Sequence, residues 1–363
     1  MRLIHFILFL FVASTAFAQK NYLLVGTYTT GKSIGIYVYD FNSKDGSAKS
    51  FDSIQTTNPS YLETSPDKKF VYAVNEKTNG YVSAFDFNDG HLSLINTQPS
   101  MGDDPCYITI SKNQKWAIVA NYSSGTGAVY PINKDGSLSE AVSVIKHYGH
   151  GTNMSRQQSP HIHSTVLSPD NKFLFVQDLG IDKIIEYSLN NKTGKLTPKD
   201  SVKLKNGSGP RHFIFHPNGK WAYLTQEMGG TITAFQYGNG KLKTTQTISV
   251  FSKPFKQYFT NADIHVSKDG RFLYASTRDS ANIISVFKIN PSSGRLTLVG
   301  QRSVLGKTPR NFNFDPSGNY LLVANQNSND IIVFKVNRQT GLLTDTGKRI
   351  NVGNPVCIKW IVK

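Results

Sequence analysis

Three ionisable residues cluster at the two ends of one predicted hairpin. His161 and His163 open its first strand and Asp178 closes its second. Imidazole and carboxylate groups held together can transfer protons or bind a polar substrate. Residues two apart on a strand share a face, so the histidines could alternatively bind a metal with His147 or His150. No spaced carboxylate completes a metal signature, so we predict a site without metal or cofactor.

This hairpin is one copy of a repeat. Six segments share a strand, a turn rich in Pro, Asp, Asn and Gly, and a second strand; they start at Pro59, Pro105, Pro160, Pro210, Ala262 and Pro309. A third alternating segment follows each, such as residues 81–87, 231–237 or 283–289, and then a weaker fourth. Four strands in each unit of roughly 45–50 residues are typical of a β-propeller blade.

The chain ends predict how many blades there are. Residues 355–360 begin a seventh hairpin that stops, while residues 22–28 and 34–41 match second and third strands. We therefore predict an all-β, seven-bladed β-propeller with four antiparallel strands per blade. Its C-terminal strand joins the N-terminal blade and closes the ring, which removes exposed sheet edges. Two stacked β-sandwiches are the alternative, but they do not predict a shared terminal unit.

The repeat also predicts where a site lies. The start of strand one and the end of strand two are antiparallel neighbours, so these positions from all blades converge at one mouth of the channel. The ionisable residues that fall there are Glu76, His161, Asp178, Arg211, His212, Glu227, Asp263, His265, Arg278 and Arg310. The long segment 147–158 before His161 is expected to fold over this mouth as a lid.

Composition narrows the classes of function. Arg2 and His5, the apolar run 6–12 and Ala16-Phe17-Ala18 resemble a signal peptide, so we predict that residues 1–18 are removed and that 19–363 form one exported domain, periplasmic or secreted. A membrane anchor is the alternative, but the run is short for a bilayer. The formal net charge is +16, without runs of basic residues, so we expect anionic small molecules rather than nucleic acid as partners. Cys106 and Cys357 fall on different blades, and both are expected to be free thiols.

Several motifs then resemble one family. They are VGTYT (25–29), NPSYLETSPD (58–67), SPHIH (159–163), DLGIDKI (178–184), GPRHFIFHPNGKWAY (209–223), ADIHVSKDGRFLYASTR (262–278) and PRNFNFDPSGNYLLVANQ (309–326). From about Tyr22 to Lys363 the chain resembles the seven-bladed propeller lactonases, which include 6-phosphogluconolactonases and fungal carboxy-cis,cis-muconate cyclases. The resemblance implies a catalytic set of His161, Arg211, Glu227 and Arg278.

The resulting prediction is a monomeric, metal-independent lactonase that opens a sugar lactone, with Glu227 or His161 as general base and Arg211 and Arg278 holding the oxyanion. Substrate-binding roles are predicted for Asp178, His212, Asp263, His265, Arg310, Gln326 and Gln157. A cycloisomerase of muconate-type acids and a non-catalytic ligand-binding propeller are the alternatives.

Overall fold

The computed structural model describes residues 19–363; the predicted signal peptide lies outside them. The strands are β1 (Asn21–Thr27), β2 (Gly35–Asn42), β3 (Ser47–Gln55), β4 (Tyr61–Thr64), β5 (Phe70–Asn75), β6 (Tyr81–Asn88), β7 (His91–Pro99), β8 (Pro105–Ile110), β9 (Trp116–Asn121), β10 (Thr126–Pro131), β11 (Ser143–Lys146), β12 (Ile162–Leu167), β13 (Phe173–Asp178), β14 (Lys183–Leu189), β15 (Leu196–Lys203), β16 (Pro210–Phe215), β17 (Trp221–Gln226), β18 (Thr231–Gly238), β19 (Lys241–Ser249), β20 (Asn261–Val266), β21 (Phe272–Thr277), β22 (Ile283–Ile289), β23 (Leu296–Ser303), β24 (Pro309–Phe314), β25 (Tyr320–Asn325), β26 (Asp330–Val336), β27 (Leu343–Asn351) and β28 (Pro355–Val362). One 3₁₀-helix, η1 (Gln326–Ser328), follows β25.

These strands form seven antiparallel four-stranded sheets, which are the blades of a propeller. Six blades are built from consecutive strands, β4–β7 through β24–β27. The innermost strands of neighbouring blades contact one another round a complete ring: β4, β8, β12, β16, β20, β24 and β28. The predicted fold class is therefore confirmed. No described helix has the length and apolar character needed to cross a membrane.

The seventh blade joins the two ends of the chain. β28 is its innermost strand and pairs along its length with β1, from Asn21 opposite Val362 to Thr27 opposite Pro355. The predicted ring closure is confirmed. Because β28 and β2 pair with its two long edges, β1 is left with no open edge.

Apolar residues fill the spaces between blades. Alternation along each strand places Val, Ile, Leu, Phe and Tyr on the buried faces, as in Val71, Leu174 and Leu273, which are fully buried. Tyrosine hydroxyls also link neighbouring blades: Tyr72 donates to the Gly136 carbonyl and Tyr223 to the Gly294 carbonyl. Such bonds satisfy the polar end of a large buried ring. The packed blades give the channel a rigid wall.

Candidate active site

A β-bulge at the start of most inner strands determines which side chain reaches the channel mouth. Pro105 pairs with Asn121 and Tyr107 with Ala120, so Cys106 is an extra residue between them. His163 and Arg310 are the extra residues of β12 and β24 in the same way. Arg211 lies within the irregular start of β16. Bulges redirect a side chain locally, and here they aim these four residues toward the mouth.

These residues line a cavity of about 300 Å³, which we call the mouth cavity. Its lining residues are Glu76, Cys106, Tyr122, Arg156, His163, Arg211, Glu227, Tyr258, Thr260, Arg278, Asp279 and Arg310. Four of them are arginines, which attract anions and stabilise developing negative charge.

One buried glutamate gathers three of the arginines. Glu227 Oε2 accepts from Arg211 Nε at 2.9 Å and lies 3.3 Å from Arg278 Nη2. Its Oε1 accepts from Arg156 Nη2 at 2.6 Å. Burial alone would raise the pKa of Glu227, but Arg278, Arg211 and Arg156 outweigh it and lower that pKa to about 2. Glu227 is therefore an ionised, fully engaged carboxylate at neutral pH.

Arg278 has one buried donor that no residue of the described chain satisfies. Its guanidinium is buried, yet Nε has no hydrogen-bond partner among the described residues. Burial lowers the pKa of Arg278 to about 10, an effect that Arg211 and Arg310 increase and Glu227 opposes. A buried donor without a partner is costly, so a group supplied by a bound molecule would be stabilised there.

The opposite wall carries a second polar group of residues. Arg310 Nη2 donates to the Tyr28 hydroxyl at 2.7 Å, and that hydroxyl donates to Glu76 Oε1 at 2.8 Å. Glu76 Oε2 is buried without a partner within the described chain. Two residues of the cavity wall, Glu76 and Arg278, thus each contain a buried polar atom that no group of the described chain satisfies.

The predicted catalytic residues occupy two kinds of position. Arg211, Glu227 and Arg278 line the mouth cavity together. His161 lies beside it: its ring stacks on Tyr122 with centroids 4.4 Å apart, and Nδ1 donates to the Tyr122 carbonyl at 3.0 Å. The register instead places His163 at the position of Arg211, because Ile162 rather than Pro160 pairs with the end of β13.

His163 is a neutral imidazole inside the cavity wall. Burial lowers its pKa well below the usual value, and the neighbouring Arg211, His212 and Arg310 lower it further. Its Nδ1 lies 4.0 Å from Cys106 Sγ, a long contact. A neutral imidazole can accept a proton at physiological pH. Cys106 and Cys357 are buried free thiols, as predicted.

Two predicted binding residues, Asp178 and Gln157, hold the loop before β12 in place. Asp178 is fully buried; it accepts from the backbone N–H groups of His161 and Gly180 and pairs with His147 Nδ1 at 2.7 Å. Gln157 is also buried and donates to the Leu179 carbonyl. Neither side chain lines the mouth cavity.

The remaining predicted residues divide between the two ends of the channel. Arg310 lines the mouth cavity, whereas His212, Asp263 and His265 line a second cavity on the side of the strand-one to strand-two turns. Asp263 shares the register position of His212, one residue further along the strand than predicted, because Asn261 rather than Ala262 corresponds to Pro210. Gln326 begins η1 and is half-buried outside the mouth cavity. No group of three or more His, Cys, Asp or Glu among residues 19–363 is arranged to bind a metal ion.

Comparison with known proteins identifies the class. Residues 22–360 match the family model described as lactonase, 7-bladed beta-propeller. The chain therefore belongs to this family of propeller lactonases.

Particular relatives cover nearly the whole chain. The 6-phosphogluconolactonase of Formosa agariphila is 41% identical over 85% of this chain and 90% of its own. That of Bacillus subtilis is 35% identical over 93% and 97%. The structure of a periplasmic gluconolactonase from Pseudomonas aeruginosa superimposes with a TM-score of 0.90 at 38% identity, covering 95% of this chain and 99% of the other.

Proposed function

We propose that the protein is a lactonase that hydrolyses a sugar lactone in the mouth cavity, without a metal. Family membership supports the reaction class, and both named curated relatives are 6-phosphogluconolactonases. The observation that carries the proposal is the meeting of an arginine cluster with a neutral histidine in one cavity. Ester hydrolysis needs a proton acceptor for water and cations for the oxyanion, and these groups supply both.

The base in this mechanism is His163. Glu227 is a weak candidate because three arginines, Arg211, Arg278 and Arg156, occupy both its oxygens. His161 is a weaker candidate than His163 because Tyr122 covers its ring and it does not line the cavity. His163 accepts a proton from water as the water oxygen attacks the lactone carbonyl carbon.

The arginines stabilise the charge that develops next. The carbonyl oxygen becomes an oxyanion, which receives hydrogen bonds from the guanidiniums of Arg211 and Arg278 that line the cavity. When the tetrahedral intermediate collapses, the bond from carbon to the ring oxygen breaks. His163 then returns its proton to the departing alkoxide, so the product is the open hydroxy acid and the base is regenerated. Glu227 orients both guanidiniums throughout.

The substrate and compartment belong to the same proposal. Residues 1–18 resemble a signal peptide, and one similar structure is a periplasmic gluconolactonase. We therefore propose a monomeric exported enzyme acting on small anionic or sugar lactones. The neutral hydroxyls of such a substrate would face the opposite wall, where Glu76 and Arg310 line the cavity.

The test compares three substrates with the wild-type protein and Glu227→Gln. Glucono-δ-lactone and its 6-phosphate should open well above their spontaneous rates, while a muconate-type diacid should remain unchanged. Glu227→Gln should reduce kcat/KM by roughly 10²–10³-fold, the scale on which losing transition-state charge stabilisation acts. Cyclisation of the diacid without lactone opening would instead establish a cycloisomerase, and turnover of neither class would leave a binding protein.

A further inference from the structure

The loop before β12, residues 147–158, is held by its own hydrogen bonds and places Arg156 at the mouth cavity. Its first end is held by buried His147, which pairs with Asp178 and hydrogen-bonds Tyr187 at 3.0 Å. Two hydrogen bonds within its last turn join Asn153 and Gln157. Gln157 N donates to the Asn153 carbonyl at 2.7 Å, and Asn153 N donates to Gln157 Oε1 at 3.1 Å. This turn presents the side chain of Arg156 to the cavity.

Arg156 differs from the other cavity arginines in exposure and in attachment. Its side chain is 32% exposed, against 2% for Arg211 and 10% for Arg278. Both of the latter belong to the propeller frame, whereas Arg156 comes from the loop.

Arg156 also keeps unused donors. Only its Nη2 forms hydrogen bonds within residues 19–363, to Glu227 Oε1 at 2.6 Å and more weakly to the Tyr122 hydroxyl at 3.5 Å. Nε and Nη1 are therefore free to bind a ligand. Since Arg211 and Arg278 already hold Glu227 Oε2, Glu227 keeps two cationic partners without Arg156.

The charges of the cavity favour an added anion. Four arginines face three carboxylates, Glu76, Glu227 and Asp279, and His163 is neutral. Asp279 already accepts a hydrogen bond from the Thr260 hydroxyl at 2.6 Å, so one of its oxygens has a partner. An anionic group near the rim would meet the planar donor fork of an arginine, which suits phosphate and carboxylate alike.

We propose that Arg156 is a specificity-determining residue that binds an anionic group, phosphate or carboxylate, carried by the lactone away from its ring carbonyl. The inference rests on the proposed lactonase activity and assigns the loop a role in choosing among lactones. Arg211 and Arg278 serve the ring carbonyl of every lactone, whereas Arg156 serves only those with a second, charged end.

The test measures kcat and KM of wild type, Arg156→Ala and Arg156→Lys on three lactones: glucono-δ-lactone, its 6-phosphate, and a glucarolactone with a free carboxylate. Arg156→Ala should raise KM for the two anionic lactones by roughly 10- to 100-fold, the scale of losing one charge-assisted partner. The KM for the neutral lactone should rise much less than either of these, because Arg211 and Arg278 still hold Glu227. Arg156→Lys should restore part of the affinity, because it keeps the charge but not the fork. A rise for only one anionic lactone would identify which anion is bound.

Met154→Ala is the matched control, since Met154 lies on the same turn, is 63% exposed and does not line the cavity. It should leave all three KM values unchanged. Calorimetric binding of 6-phosphogluconate and of gluconate gives a readout without turnover: Arg156→Ala should weaken only the first. An equal loss for neutral and anionic lactones would overturn the inference and make Arg156 a positioning residue for Glu227. Absence of lactone opening by the wild type would overturn the proposed function, while the calorimetry would still decide the role of Arg156.

Discussion

The channel has a cavity at each end, and the two differ in how completely their polar groups are satisfied. The turn-side cavity is larger, about 440 Å³, and is lined by residues such as Tyr61, Tyr107, His212, Asp263 and Lys359. Within the described chain, none of its lining residues has a buried side-chain nitrogen or oxygen without a partner. The mouth cavity is smaller, about 300 Å³, and contains two such groups, Arg278 Nε and Glu76 Oε2.

The polar groups of the turn-side cavity are paired with one another. Lys359 Nζ pairs with Glu63 at 2.8 Å and lies 4.8 Å from the centre of the Tyr61 ring. Asp263 pairs with both His212 at 2.8 Å and His265 at 3.0 Å. Such completed networks stabilise a unique structure, whereas incomplete ones mark places where a ligand supplies the missing partner. The completeness of hydrogen bonding, rather than cavity volume, distinguishes the mouth cavity from the turn-side cavity.

The largest difference in activity should appear between variants in which His163 or His161, the two histidines next to Tyr122, is replaced. His163→Asn should lower kcat by roughly 10²–10⁴-fold, the contribution of a general base. His161→Asn, the matched variant, should lower it by less than about tenfold, because His161 only supports Tyr122. Lactone-opening rates at saturating substrate measure both. The reverse ranking would assign the base to His161.

A smaller loss of activity is expected from Asp263→Asn. Asp263 lines the turn-side cavity but is connected through His212 to Arg211 of the mouth cavity. Arg211 Nη1 lies 3.3 Å from His212 Nε2, and His212 pairs with Asp263, so the aspartate helps to orient the catalytic guanidinium. Removing the carboxylate leaves buried hydrogen-bond partners of Asp263 unsatisfied, so the free energy of unfolding should fall by roughly 1–3 kcal/mol. It should lower kcat/KM about tenfold. Urea unfolding and steady-state kinetics measure these changes.

The control for that variant is Asp345→Asn, which removes a surface pair with Arg349 and should cost less than about 1 kcal/mol. Equal destabilisation by the two variants would contradict a structural role for the buried network.

The pH dependence of stability should trace the same network. Burial and the neighbouring Arg211 lower the pKa of His212 to about 4, outweighing Asp263. Between about pH 6.5 and 4 the unfolded chain therefore binds a proton that the folded protein does not, so the free energy of unfolding falls as pH falls through this window. Denaturant midpoints across these pH values measure the slope. His212→Gln should flatten it, and an unchanged slope would assign it to other groups.

The smallest effect is expected from Lys359→Met in the turn-side cavity. The substitution keeps the apolar stem against Tyr61 and removes only the charge. We expect kcat/KM for every lactone to stay within about twofold. A loss comparable to that of His163→Asn would show that the turn-side cavity also takes part in catalysis.

The blade repeat could be predicted because it depends on residue types. Turn residues recur at regular positions, and the strands between them are rich in β-branched and aromatic residues. Which residue of each inner strand lies at the mouth is harder to predict. Counting from the prolines equates His161 with Arg211, but β-bulges and the long loop shift the start of β12.

Alignment on the turns resolves the register. Arg211 and His163 each lie five residues before the first turn residue, His216 and Ser168, whose backbone N–H closes the turn. Counting in the other direction leads from His216 to Glu227 and from Ser267 to Arg278 by equal steps. Arg156 could not be found in this way, because loops lie outside the repeat and their path depends on tertiary contacts such as His147 with Asp178.

The pairing of β1 with β28 has a consequence for biosynthesis. β1 is the first described strand to be made and β28 the last, so one edge of β1 remains open while the ribosome makes the rest of the chain. A nascent chain can assemble its complete blades one by one, but it cannot close the ring until residues 355–362 have emerged. A translation product that stops earlier would expose the edge of β1, a ready template for pairing with other chains, and would therefore be prone to aggregate and open to proteolysis.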